Sequence, residues 1–219
     1  MRKSVIGIDI GGTKMRGILW NGKKVLKFVE FSTPNNLKDF ESNLKKIVNY
    51  LGRENKIAVG AAGIIKSNIL VKSPNIPYIK NFKFCADKLD NDARCFARTE
   101  RSLLKTQNIF FITLGTGVGR AVVEGGEVLK IKKLEYPETW ERQYQKICDI
   151  KDDDRLAEYV GRKIVDLAKT YKPEVIVIGG GILNRKGFFG KLKRDIDISI
   201  KRAVCRKNAV AIGAAKVIF

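Results

Sequence analysis

Residues 7–14, Gly-Ile-Asp-Ile-Gly-Gly-Thr-Lys, place an acid, two glycines, a hydroxyl and a cation within six positions. The apolar, β-branched run leading in (Val5, Ile6, Ile8, Ile10) reads as a buried strand that carries Asp9. Gly11 and Gly12 let the chain turn with no Cβ in the way, so backbone N–H groups can face an anion. Thr13 adds a donor and Lys14 a positive charge at the same place. A double glycine between strands also makes an ordinary hairpin turn. The clustering ranks phosphate binding ahead of that reading.

Two further glycine runs follow strand-like segments. Residues 115–119 read Gly-Thr-Gly-Val-Gly, and Gly179, Gly180 and Gly181 stand in a row between a strand and a helix. Neither matches the G-x-G-x-x-G dinucleotide fingerprint or the G-x-x-x-x-G-K-[ST] P-loop. Such backbone can approach a polyphosphate, a ribose or a flat ring without side-chain interference. The chain has no histidine, which removes His-based acid–base catalysis, His metal sites and Ser-His-Asp triads. A carboxylate at a helix N-terminus is then the natural candidate to take a proton from an acceptor hydroxyl. Asp92, which follows Asn91, fits that role, although Asp90 or Asp92 would also serve as a plain helix cap.

The elements that must position these groups follow from patterning. Residues 15–20 return as a second strand, Asn21-Gly22 reads as a two-residue hairpin turn, and residues 25–31 form a third strand. Leu37, Phe40, Leu44, Ile47, Val48 and Leu51 recur at helical spacing. Residues 56–60 and 69–71 read as strands, residues 73–77 (Ser-Pro-Asn-Ile-Pro) as a rigid loop, and residues 78–89 carry little pattern. A helix starts at residues 90–92. At Ile109 the opening pattern begins again: a strand to Leu114, the glycine loop, a returning strand, a turn at Gly125-Gly126, and a strand over 128–131. A shift of 104 places pairs Ile10 with Leu114, Gly11 with Gly115, Arg16 with Arg120 and Gly22 with Gly126 without a gap. This internal repeat implies two related halves. Residues 130–151 turn helical from about Glu138, and Asp152-Asp153-Asp154 caps a long helix bearing Leu156, Val160 and Ile164. A buried strand covers 175–178. Phe188, Leu192, Ile196, Ile200 and Val204 recur every four places and predict a helix, and residues 209–219 predict a final one.

Composition narrows the classes. The 219 residues, 44% hydrophobic and 30% charged, suit an ordinary globular protein of one large or two small domains. No apolar run has membrane-spanning length, and the opening Met1-Arg2-Lys3-Ser4 leads towards a strand rather than a signal-peptide core, so a cytoplasmic protein is expected. The formal net charge of +20 is spread along the chain without an aromatic-interleaved basic cluster. It reads as a solvated surface suited to anionic substrates rather than as a nucleic-acid site. Cys85, Cys95, Cys148 and Cys205 form no close pair and no zinc-like spacing.

Taken together, these motifs resemble the ROK family of the actin-like ATPase superfamily. Residues 7–14 are similar to its first phosphate motif, 114–119 to its second, 177–181 to its adenosine motif and 73–77 to its sugar loop. Residues 91–93 (Asn-Asp-Ala) resemble its catalytic motif and 212–215 its C-terminal helix. The resemblance implies an α/β fold of two ribonuclease H-like (actin-type ATPase) domains around a central cleft. The first domain would span 1–106 plus 208–219, and the second 107–207. It makes Asp92 the general base, gives Asn75 and Asn91 to ring hydroxyls, and puts Mg²⁺ at Asp9, through water. Gly11, Gly12, Thr13 and Lys14 would face phosphates from one side, Thr116 and Gly117 from the other, and Gly179, Gly180 and Gly181 would flank the adenosine.

Departures accompany the resemblance. Family members carry a Gly-Glu-Ile-Gly-His segment and a cysteine-rich zinc loop, whereas residues 130–142 here hold neither histidine nor cysteine. No zinc is therefore expected, and Glu135, with Glu138 as rival, stands for the family's sugar-binding glutamate. The implied activity is ATP-dependent transfer of a phosphoryl group to a hexose such as glucose, at the C6 hydroxyl, with domain closure excluding water. Implied partners are a sugar substrate, no nucleic acid and no membrane, with a homodimer left open. An activator-type ATPase of the same fold and a non-catalytic sugar-sensing regulator are the alternatives.

Overall fold

A computed structural model of the protein describes residues 4–194, 196–205 and 207–219. Met1, Arg2 and Lys3, expected to lead into the first strand, lie outside them. The chain forms two compact units, Met1–Glu100 with Lys207–Phe219, and Arg101–Arg206.

In the first unit, β1 (Val5–Ile10), β2 (Lys14–Trp20), β3 (Val25–Ser32) and β4 (Lys56–Ala61) belong to a five-stranded sheet. Its fifth strand, β8 (Lys88–Asn91), follows a separate three-stranded sheet of β5 (Ile64–Lys66), β6 (Ile69–Lys72) and β7 (Lys80–Phe82). The order is β3-β2-β1-β4-β8, with the first three strands antiparallel and the last two parallel to β1. All six residues of β1 are buried because helices cover both faces of the sheet. Helix α1 (Leu37–Leu51) lays Phe40, Ile47 and Leu51 over Ile6, Ile8 and Ile10. Its start is fixed by Asn36, whose side chain accepts the Asp39 N–H at 2.9 Å and donates to the Asp39 carboxylate at 2.8 Å. Helix α2 (Asp92–Arg101) begins directly after β8.

In the second unit, β9 (Ile109–Leu114), β10 (Val118–Glu124), β11 (Glu127–Val128), β12 (Val175–Gly179) and β13 (Ile200–Arg202) stand in the order β11-β10-β9-β12-β13. This is the same permutation, with the same antiparallel and parallel pairings, as in the first unit. Phe110, Ile112 and Leu114 pack with residues of helices α3 (Glu141–Ile150), α4 (Asp153–Tyr171) and α5 (Phe188–Arg194) in one core. The final helix, α6 (Ala209–Ala215), belongs to the first unit and packs on β1.

Several expectations are corrected. The predicted helix through residues 188–204 ends at Arg194, and Ile200–Arg202 becomes the fifth strand, pairing Ile200 with Ile176. Ile196, Ile198 and Ile200 alternate at period two, so the four-residue spacing masked a strand pattern; Asp195, within that run, lies outside the described residues. The weakly patterned stretch before Asp92 holds β7 and β8. The strand expected over 128–131 is only Glu127–Val128, and the last helix stops at Ala215. Asn21-Gly22 is not a two-residue turn, because Trp20 pairs with Val25 and four residues lie between them. Gly125 and Gly126 do form one, with φ of 56° and 82° between the paired Glu124 and Glu127.

The repeat holds in topology but not without a gap. Ile10 pairs with Met15, leaving four loop residues, whereas Leu114 pairs with Val118, leaving three. Beyond the loops the two halves are therefore one place out of step. Arg16 stands opposite Asp9, and the position matching it is Gly119, opposite Thr113. Arg120, which the gapless shift pairs with Arg16, stands opposite Ile112 and so faces the other side of its sheet.

Candidate active site

The first unit brings the acidic candidates together. Asp9, Arg16 and Glu30 are direct cross-strand neighbours on β1, β2 and β3, so they form an acid–base–acid row on one face. Arg16 Nη1 lies 3.2 Å from the Asp9 carboxylate and Arg16 Nε donates to Glu30 at 2.7 Å. Lys14, two places along the same strand, donates to the other Glu30 oxygen at 2.5 Å. These hydrogen bonds hold the Glu30 carboxyl down at about 2. Asp9 is 6% exposed. Burial pushes its pKa up to about 7 against the pull of Arg16, with the negative charge of Asp92 adding to the rise.

Asp92 opens α2, and Asn91 before it caps the helix. The Asn91 side-chain oxygen accepts the N–H groups of Ala93 at 3.0 Å and Arg94 at 3.4 Å, and its amide donates to the Gly63 carbonyl at 3.1 Å. Asp90 is also taken: Arg94 and Arg98 grip its two oxygens at 2.6 and 2.7 Å. Burial raises the Asp90 pKa, but the two guanidiniums outweigh it and the net shift is downward. Asn91 shares the cap with Asp92, which also accepts the Ala93 N–H, at 2.8 Å, and stands half-buried at the helix start. Burial drives the Asp92 carboxyl up to about 6, against the opposing hydrogen bond from Ala93 N–H. This suits a group that must accept a proton near neutrality.

Around this pair stand the two loops the sequence singled out. A Cβ on Gly12 would lie 2.6 Å from the Asn75 Cβ, so the glycine loop and the Ser73–Asn75 turn touch. Asn75 is half-buried, Lys14 and Thr13 are exposed, and the Ser73 hydroxyl is buried with no hydrogen-bond partner. Gly63, with φ of 142°, would place a Cβ 2.3 Å from the Lys72 carbonyl, so only glycine fits beside this turn. The sequence did not reveal Arg16, Glu30 or Gly63. Arg16 and Glu30 were readable only through strand register, and Gly63 only through the loop that crosses it.

In the second unit, Thr116 and Gly117 lie in the loop between β9 and β10. Gly179 ends β12, and Gly180 (φ 100°) would put a Cβ 2.2 Å from the Leu114 carbonyl, so it is fixed by close approach to β9. Gly115 and Gly181 have nothing within 4 Å of where a Cβ would stand. Protein packing does not demand glycine there. Glu135 is buried at the end of the 3-10 turn Lys132–Glu135, and Glu138 lies 3.3 Å from Arg120.

For the metal, no three His, Cys, Asp or Glu side chains gather into a site among the described residues. Mg²⁺ takes one or two carboxylates and completes its shell with water and phosphate, and Asp9 is a buried carboxylate at the end of β1. Asp9, with Asp92 near enough to raise its pKa, would supply the protein's part.

The two matching five-stranded sheets, each with a glycine loop after its first strand, define the two-domain actin-like ATPase fold. The chain belongs to the ROK family, whose profile matches residues 5–130 and 144–217. An N-acetylmannosamine kinase of Escherichia coli O139:H28 is 29% identical over 145 residues, which cover 58% of this chain and 49% of that protein. The chain thus spans about half the length of the curated relatives it matches. Among solved structures, an inorganic polyphosphate/ATP-glucomannokinase from Arthrobacter sp. strain KM aligns with a TM-score of 0.84 at 23% identity, covering 99% and 98% of the two chains. A ROK family glucokinase from Streptomyces griseus in complex with glucose and AMPPNP aligns with a TM-score of 0.81 at 16% identity, covering 98% of each. No helix among the described residues is long and apolar enough to cross a membrane.

Proposed function

We propose that this protein is an ATP-dependent sugar kinase that phosphorylates a hexose such as glucose at C6. The observation that carries the reading is Asp92: a half-buried carboxyl at a helix start, raised to about 6, with its neighbours Asp90 and Asn91 already engaged. The Asp92 carboxylate is the group that would take the proton of a sugar hydroxyl. The freed oxygen would then attack the γ-phosphorus as the bond to ADP breaks, an in-line displacement in which positioning and charge neutralisation do most of the work. Mg²⁺, when bound, would offset the charge of the phosphates. Asn75 would orient the sugar, with the second Asn91 N–H and Glu135 as further contacts. Gly11, Gly12, Thr13, Lys14, Thr116 and Gly117 are the proposed phosphate contacts, and Gly179, Gly180 and Gly181 the proposed adenosine contacts. Lys14 must exchange Glu30 for phosphate when the donor binds.

The named activity of the Escherichia coli relative favours a second acceptor class, the N-acetylated hexosamines. Mass spectrometry of products after incubation with MgATP separates the two. The expected result is a monophosphate of glucose, N-acetylmannosamine or N-acetylglucosamine. No phosphorylated sugar from a panel of common hexoses and amino sugars would contradict the proposal and favour an activator-type ATPase or a sugar-sensing regulator.

A further inference from the structure

The family match breaks over residues 131–143, and helix α3 starts inside that break. Three α3 side chains reach the second glycine loop. Tyr144 Oη donates to the Gly115 carbonyl at 2.7 Å, Gln145 Nε2 donates to the Thr116 carbonyl at 3.1 Å, and the Glu141 carboxylate accepts the Val118 N–H at 3.3 Å. Their spacing, i, i+3 and i+4, puts them on one helical face. The end of the helix is anchored in turn. Arg120, 2% exposed on β10, lies 3.1 Å from the second Glu141 oxygen and donates to the Tyr136 carbonyl. Glu141 also accepts the Glu138 N–H at 2.9 Å.

The geometry has a directional consequence. In a trans peptide the carbonyl of one residue and the N–H of the next point opposite ways. Holding the Gly115 and Thr116 carbonyls towards α3 therefore turns the N–H groups of Thr116 and Gly117 away from it, side by side. Two such adjacent N–H groups form the concave positive surface that takes an anion.

We propose that α3 is the positioning element of this loop, with Tyr144 and Gln145 aiming the Thr116 and Gly117 amides at the donor phosphates and the Arg120–Glu141 pair anchoring the helix to β10. The role in phosphate binding rests on the kinase reading above. Tyr144→Phe removes only a hydroxyl from a buried ring, and Gln145 is exposed, so the double variant Tyr144→Phe with Gln145→Ala should fold. The test measures amide exchange at residues 115–118 in the free protein, the MgATP dissociation constant by calorimetry, and the sugar KM. The expected result is faster exchange and about tenfold weaker MgATP binding, for two lost hydrogen bonds, with the sugar KM unmoved. An MgATP affinity within about twofold of the wild type would overturn the proposal, whatever the exchange shows. If the double variant fails to fold, Gln145→Ala alone is judged by the same criteria. Wild-type protein that binds no MgATP would instead overturn the kinase reading. The exchange comparison then still decides whether α3 holds the loop, and equal rates would overturn that too.

Discussion

Asp92→Asn should lower kcat by about a thousandfold, the scale of a lost general base, while leaving the protein at least as stable as the wild type. The two halves of this expectation come from one cause. Burial raises the Asp92 carboxyl to about 6, so the folded state holds that proton more tightly than the unfolded chain, whose ordinary value is 3.8. The stabilisation this brings is full below that value and is lost as pH rises through about 6, so at neutral pH the ionised carboxylate is a strain on the fold. Asparagine removes the charge and keeps an oxygen for the Ala93 N–H, so the melting temperature should hold or rise. In the wild type, kcat/KM should fall with decreasing pH below about 6, as the base takes up its proton, and the variant's residual activity should lack that limb. A variant that loses activity and melts well below the wild type would mean that Asp92 is a structural residue.

Gly213→Ala should be strongly destabilising. A Cβ there would lie 1.7 Å from the Cys95 carbonyl oxygen and 2.4 Å from its carbon, which are backbone atoms of α2 and cannot rotate aside. Helix α6 is strapped to α2 on either side of the contact. Arg98 donates to the Gly213 carbonyl at 3.2 Å and Thr99 to the Ala209 carbonyl at 2.7 Å. On the sheet side, Gly7 of β1 admits the Ala211 carbonyl, which a Cβ would meet at 2.0 Å. Separating these backbones should cost about 3 kcal/mol, a drop in melting temperature on the order of 10 °C. Gly190→Ala is the contrasting change: nothing stands within 4 Å of its Cβ position in α5, so helix propensity alone should act and stabilise by about 0.5–1 kcal/mol. Calorimetric melting of both variants checks the pair. Equal melting temperatures would show that α6 does not pack on α2 as closely as these contacts require.

Much of this architecture was written in local pattern. The opening β-branched run, the two glycine loops and the Asn-Asp at the start of α2 carry their meaning within a few residues, and the duplication showed as a shifted copy. What stayed hidden depended on register and on competition between neighbours. A gapless shift made Arg16 and Arg120 equivalent, whereas one residue fewer in the second loop sends them to opposite faces. The Asp9–Arg16–Glu30 row exists only once β1, β2 and β3 are aligned. Asn91, Asp90 and Asp92 are all plausible helix caps by type, and it took the hydrogen bonds of Asn91 to Ala93 and Arg94 to divide the work among them. Ile200 sat on both a four-residue and a two-residue period, and its pairing with Ile176 settled it as a strand. The brace from α3 joins residues far apart in the chain, Tyr144 to Gly115 and Gln145 to Thr116, so no local pattern announced it.

The central claim is that Asp92 delivers a sugar hydroxyl to ATP. Its most direct test is ADP release by the wild type and Asp92→Asn, each with and without the acceptor sugar. Release that rises with sugar in the wild type and stays at the sugar-free level in the variant is the predicted result. Release that ignores the sugar, or that survives the substitution, would contradict it.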